Sequence, residues 1–426
     1  MKTKPESSGA LRETFDVIGQ YWFGFGTATA LGVFRIVFGT LVFLNFVLLS
    51  FDWNTWFSEH GYVPSWLGAR FLDPRIQVSA GSSFTVPRLD ILSGVTNDNI
   101  SLAVFSLTAL AALFTAVGLW TRVSTVALAI GVVSIHHHNA AILHGGDTVV
   151  RVMCLYLAIA PSGAACSLDR VIGVLKGRIS ANPVLISMWP QRLIAYNCSL
   201  LYLTTTWAKW GGHLWQNGTA NWYPARLAEF YRFPVPAFMN QFPMVYLTSY
   251  GTLAVEFAMG TLVFFKPLRG WVLLTGLLLH GYIEYSMNIP LFSYIVTSLY
   301  TSYYDGDEVM AWAQRRGSKL KNLHIKVFIP INRQLKPRAS AFLNVIDPFK
   351  LIRYEAGTQE SWTAETMSGK QLQTWKAIAK RSPGCWLFGW YPGFWTKFES
   401  SALEPILVSK VENKKSESSK KSKSHS

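Results

Sequence analysis

The chain carries ionisable and amide side chains inside otherwise apolar stretches. They are Arg35, the run His136-His137-His138-Asn139, His144, Asp147, Arg151, Lys209, Glu256, His280, Glu284 and Asn288. Imidazoles, carboxylates and amines are the groups that move protons in catalysis. Lys209 is the sharpest of them: burial disfavours an ammonium, so the amine can stand neutral and accept a proton. Each residue also has a structural reading. Lys209 lies near the end of its apolar stretch, where a lysine can extend its charge to an interface. Arg35 suits a buried carboxylate or the carbonyls of a helix end, and Glu256 is its obvious charge complement. Asp147 follows Gly145-Gly146 and suits a helix cap. A lone His280 suits a satisfied hydrogen bond. The His136–Asn139 run is harder to place structurally. Successive helical residues point about 100° apart, so the run covers most of a helix and part of it must face protein.

A metal centre would need ligands spaced to share one helix face. The chain has one consecutive His run and no second cluster, so no metal is expected. The four cysteines (Cys154, Cys166, Cys198 and Cys385) form no CxxC pair and suggest no disulfide framework.

These residues must be positioned by membrane helices. Half of the 426 residues are hydrophobic and 15% are charged, against about 25% in soluble domains. A bilayer span needs roughly 20 apolar residues. Suitable stretches run over 27–51, 100–120, 122–143, 147–166, 193–211, 244–265, 271–285 and 289–304. The expected fold is therefore an all-α integral membrane bundle of about eight spans. The first 25 residues are polar and show no cleavable signal pattern.

Lysine and arginine are retained on the cytoplasmic side. Arg122, Arg170, Lys176, Arg178, Arg192, Lys266 and Arg269 fall in loops on one side of such a bundle. The opposite loops, about 52–99 and 213–243, hold only Arg70, Arg75, Arg88, Arg226 and Arg232. Residues 305–426 hold 21 of the 39 Lys and Arg and supply +10 of the net +15. Both termini are expected in the cytoplasm, with the basic excess facing anionic headgroups and no nucleic acid. The expected segments are 1–26, an N-terminal cytoplasmic stretch; 27–304, the membrane domain; 305–409, a basic membrane-surface or cytoplasmic region; and 410–426, a disordered Lys/Ser-rich tail. Trp375, Trp386, Trp390 and Trp395 suit a surface helix or a small packed cap.

The motifs resemble a family. Ser134-Ile-His-His-His-Asn139, His144-Gly-Gly-Asp147, Pro161-Ser-Gly and Ser167-Leu-Asp169 are similar to the signature of the horizontally transferred transmembrane (HTTM) domain. That domain is shared with vitamin K-dependent γ-glutamyl carboxylases. Gln191-Arg192-Leu193, Tyr202, Ala208-Lys209-Trp210-Gly211, Trp215 and Gly218-Thr-Ala220 look like the family's fifth-span motif. Arg35-Ile-Val-Phe-Gly39 and His280 with Asn288 and Phe292 also fit, so the resemblance covers roughly residues 20–304.

The resemblance implies a function. In the carboxylases a lysine at the position of Lys209 deprotonates vitamin K hydroquinone. Oxygen chemistry then yields a strong base that removes a glutamate γ-proton, and CO2 adds. His280, His137, His138 and Asn139 resemble assisting catalytic positions. His136, His144, Asp147 and Trp210 resemble quinol-binding ones. The implied partners are the bilayer, a lipid quinone and a protein or peptide substrate on the non-cytoplasmic side. A counterpart of the carboxylases' large lumenal region that binds propeptides is not expected in these 426 residues. The alternatives are a non-enzymatic membrane protein of the same fold, in immunity, maturation or transport, and a metal-dependent membrane oxidoreductase.

Overall fold

The computed structural model describes residues 7–71, 89–383 and 392–406. Arg75, Arg88, Cys385, Trp386, Trp390 and the Lys/Ser-rich tail lie outside the described residues. The chain is mostly helical and forms two compact units. Unit one is residues 1–169 with 183–307, and unit two is 170–182 with 308–426.

Each apolar stretch of unit one is helical. Its long helices are α1 (Ser7–Phe23), α2 (Thr29–Ser50), α3 (Asp98–Val117), α4 (Thr121–His138), α5 (Gly145–Ile159), α6 (Trp189–Trp210), α7 (Phe242–Thr261), α8 (Lys266–Ser286) and α9 (Phe292–Ser298). Among the described residues, three helical stretches are long and apolar enough to cross a membrane: Thr29–Ser50, Asp98–Val117 and Phe242–Phe264. The other stretches read as spans are shorter or interrupted by polar residues. Their intrahelical hydrogen bonds satisfy the backbone, as apolar surroundings demand.

Packing follows chain order. Helix α2 lies along α3, α3 along α4 and α4 along α5, while α6 lies along α7 and α7 along α8. Helix α9 contacts α2, α5 and α8, so it joins the two groups. Gly39 allows the α2–α3 approach, because a Cβ there would sit 2.9 Å from the Ala116 nitrogen. Helix α3 ends at Gly118, whose φ of 70° is left-handed and suits glycine.

The turn after α3 explains several motif residues. The Arg35 side chain is fully buried, and its donors go to backbone carbonyls. Its Nε donates to Ser162 O at 3.1 Å, Nη1 to the Thr115 and Ala116 carbonyls, and Nη2 to Cys166 O. Of the two kinds of partner that the sequence left open, backbone carbonyls take the guanidinium, and Glu256, its charge complement, pairs with Lys209. Asp169 accepts from Trp120 N at 2.9 Å and from Thr121 N at 2.8 Å, capping α4. The Pro161-Ser-Gly and Ser167-Leu-Asp motifs therefore build a structural joint.

Unit two departs from the all-α expectation. Strands β3 (Ile325–Ile329), β5 (Ile352–Ala356), β6 (Thr363–Thr366) and β7 (Gln371–Leu372) form a sheet in the order β5-β3-β6-β7. Two short antiparallel pairs complete the strands: β1 (Phe25–Thr27) with β2 (Leu185–Ser187) in unit one, and β4 (Arg333–Leu335) with β8 (Leu403–Pro405) in unit two. Ile325 and Val327 point into the core with a period of two, the signature of a strand. Trp375 stacks on Trp395 at 4.8 Å, so these two indoles pack inside the unit. Residues 170–182, read as an inter-span loop, belong to this unit and bury Val171 and Val174 in its core.

Candidate functional site

Helix α6 brings Lys209 to its last turn, and the neighbouring α7 brings Glu256. Lys209 Nζ donates to Glu256 Oε1. The carboxylate side chain is 8% exposed and the lysine side chain 27%. Thr205, one turn earlier on α6, donates to Glu256 Oε2 at 3.3 Å. The Trp215 ring lies 5.4 Å from Nζ. Lys209 is therefore held by a buried anion and an aromatic face, and only part of it reaches outward.

A hydrogen-bonded network adjoins this pair. The hydroxyl of Tyr202, two turns before Lys209, lies 2.8 Å from His280 Nε2 and 2.7 Å from the Tyr300 hydroxyl. Glu256 acts electrostatically on Tyr300, and Lys209 on His280. His280 is buried, and its Nδ1 has no hydrogen-bond partner among the described residues. The Phe292 ring is 5.8 Å from that of His280 and 6.3 Å from that of His144. Helix α9 thus links the Lys209 side of the bundle to α5.

On α5, His144 and Asp147 form a capping box. His144 Nδ1 accepts from Gly146 N at 3.0 Å, and Asp147 Oδ2 accepts from His144 N at 2.8 Å. The same carboxylate lies 3.6 Å from His144 Nε2 and 3.9 Å from His136 Nε2. His136 Nδ1 is a second buried imidazole nitrogen without a hydrogen-bond partner among the described residues. A chain of neighbours runs from Lys209 through Glu256 and Thr205 to Tyr202, His280, Phe292 and His144, and Asp147 lies between His144 and His136.

The other nominated residues are engaged elsewhere. His137 Nδ1 accepts from Leu89 N at 3.2 Å. His138 Nδ1 lies 3.4 Å from Asp90 Oδ2. Asn139 donates to Trp56 O at 2.6 Å and accepts from Ala141 N at 3.1 Å. These three hold the segments before α3 against the end of α4. Trp210 is 58% exposed, and Trp215 takes the place beside Lys209. Glu284 pairs with Arg232. Among the described residues, no group of three or more His, Cys, Asp and Glu is placed to hold a metal.

Sequence reasoning missed Tyr300, Thr205 and the true partner of Glu256. Tyrosine and threonine cost little in a span and give no signal. Glu256 did give one, since an intramembrane carboxylate needs a partner, but charge alone did not choose between Arg35 and Lys209.

A helical membrane protein with an amine–carboxylate pair beside a buried His–Tyr–Tyr network is the class that fold and site define. The HTTM domain family matches residues 26–307, and the chain belongs to that family. It is the family of membrane proteins related to the vitamin K-dependent carboxylases. No curated protein and no solved structure matches the chain.

Proposed function

We propose that this protein is a carboxylase-like membrane enzyme that deprotonates a lipid hydroquinone of the vitamin K type. Lys209 is the base, and oxygenation of the quinol is coupled to carboxylation of a protein or peptide on the non-cytoplasmic side. The observation that carries this reading is the Lys209–Glu256 pair beside His280. The orphaned Nδ1 atoms of His280 and His136 suit a ring with an oxygen at each end. Phe292, whose ring neighbours those of His280 and His144, offers an apolar face.

A bound hydroquinone supplies the reducing equivalents for oxygen chemistry. The protein's part is proton transfer and positioning. Glu256 takes the proton from the Lys209 ammonium, so the pair reaches its amine–acid form without separating charge. The freed amine then accepts a proton from a hydroxyl placed against it. The hydrogen bonds among Tyr202, Tyr300 and His280 fix the imidazole so that Nδ1 stays available. Asp147 does the same for His136. Purified protein in lipid nanodiscs should consume oxygen when vitamin K hydroquinone is added. Absence of uptake above a protein-free control would move the chain to the non-enzymatic reading.

We also propose eight spans with both termini in the cytoplasm, as the Lys and Arg distribution favours. In intact cells, a cysteine introduced by Ser422→Cys should resist a membrane-impermeant maleimide and react after permeabilisation. Labelling from outside would overturn this topology.

A further inference from the structure

We infer that the segment between α6 and α7, residues 211–241, lies in the membrane interface and binds lipid rather than projecting into water. Its surface is apolar and aromatic. Tyr223, Leu227, Phe230, Tyr231, Phe233 and Phe238 are between 39% and 59% exposed. Large apolar side chains exposed in such number mark an interaction surface.

Charge and backbone both favour lipid. The segment has three charged side chains, Arg226, Glu229 and Arg232. The Arg226 guanidinium lies 3.5 Å from the Trp222 ring centroid and donates to the Trp222 carbonyl and Asn240. Arg232 pairs with Glu284 and donates to its carbonyl at 3.0 Å. Both cations are tied back into the fold.

An interfacial segment must also satisfy its backbone. Phe230 N and Tyr231 N donate to Leu227 O at 3.0 and 2.9 Å, and Phe230 O accepts from Asn288 N at 2.6 Å. Tyr231 forms a bridge with Met287. Pro224, Pro234 and Pro236 have no N–H to satisfy. The apolar surface continues into the helices at both ends, with Trp207 82% exposed on α6 and Phe242 71% exposed on α7. Aromatic rings at the ends of spans favour the headgroup level. The occupant is therefore the bilayer's own interface, continuous with the lipid around α6 and α7.

The test uses full-length protein in nanodiscs, with Cys166→Ser and Cys385→Ser to remove background labelling. A fluorophore is attached through Phe233→Cys, Phe238→Cys or, as an aqueous reference, Lys321→Cys. Lipids carrying a nitroxide near the headgroup should quench the labels at 233 and 238 about twofold or more above the reference. Aqueous iodide should show the opposite order. Iodide quenching equal to the reference would overturn the inference. Protection from both quenchers would also overturn it, by pointing to a protein partner or a second copy. On the unmodified chain, a lipid-soluble diazirine should label peptides spanning 223–238, and no labelling there would be equally contrary.

Discussion

Replacing Arg35 with leucine should remove most of the folded protein, and Arg35→Lys should restore only part of it. The guanidinium serves the carbonyls of Ser162, Thr115, Ala116 and Cys166 from three different nitrogens. Leucine takes the guanidinium from those acceptors, at about 1–3 kcal/mol for each one left buried and unsatisfied. Even partial relaxation leaves a loss of about 3 kcal/mol or more, a large share of the 5–15 kcal/mol typical of a folded domain. Lysine keeps the charge but presents one nitrogen, which cannot span a fork of carbonyls. The joint also holds Gly118 and the capped start of α4, so the damage reaches the His136–Asn139 run. Size-exclusion profiles and thermal melting in detergent would show it. An Arg35→Leu variant that melts within about 2 °C of wild type would mean these bonds carry little.

That joint shows what the sequence can and cannot reveal. An arginine inside a 22-residue apolar helix announces a buried partner, because lipid offers none. The type of partner was also legible, since helix-end carbonyls and carboxylates both suit a guanidinium. The choice between them was not. Arg35 and Glu256 are opposite charges on two spans, yet the chain folds Glu256 against Lys209. Pairing depends on which helices adjoin, and apolar composition does not encode that.

The His run illustrates a second limit. Four polar residues around one helix must face several directions, and the structure resolves them. His136 turns to Asp147, while His137, His138 and Asn139 hold residues 56, 89 and 90. Unit two was legible in part. The alternation of Ile325 and Val327 is a strand signal, but a Trp-rich, basic stretch after a membrane domain reads equally as a surface helix. Its tryptophans reveal their packing only once Trp375 meets Trp395.

The second large effect belongs to Lys209, and here the choice of substitution matters. Lys209→Ala would leave Glu256 nearly buried and unpaired, so loss of activity would be confounded by loss of stability. Arginine can keep the ion pair with Glu256 and stay folded. It cannot give up its proton at any working pH. The two roles proposed for Lys209 therefore separate in one variant. A structural lysine that extends its charge outward is replaced by arginine with little change. A proton acceptor is not, and general-base catalysis is worth about a hundredfold to ten-thousandfold in rate.

The most direct measurement is hydroquinone-dependent oxygen uptake, with epoxide formation followed in the same sample, for wild type and Lys209→Arg matched in melting temperature. Wild type should turn over, and Lys209→Arg should fall about a hundredfold or more while remaining folded. Undiminished turnover in Lys209→Arg would contradict the assignment of Lys209 as the base.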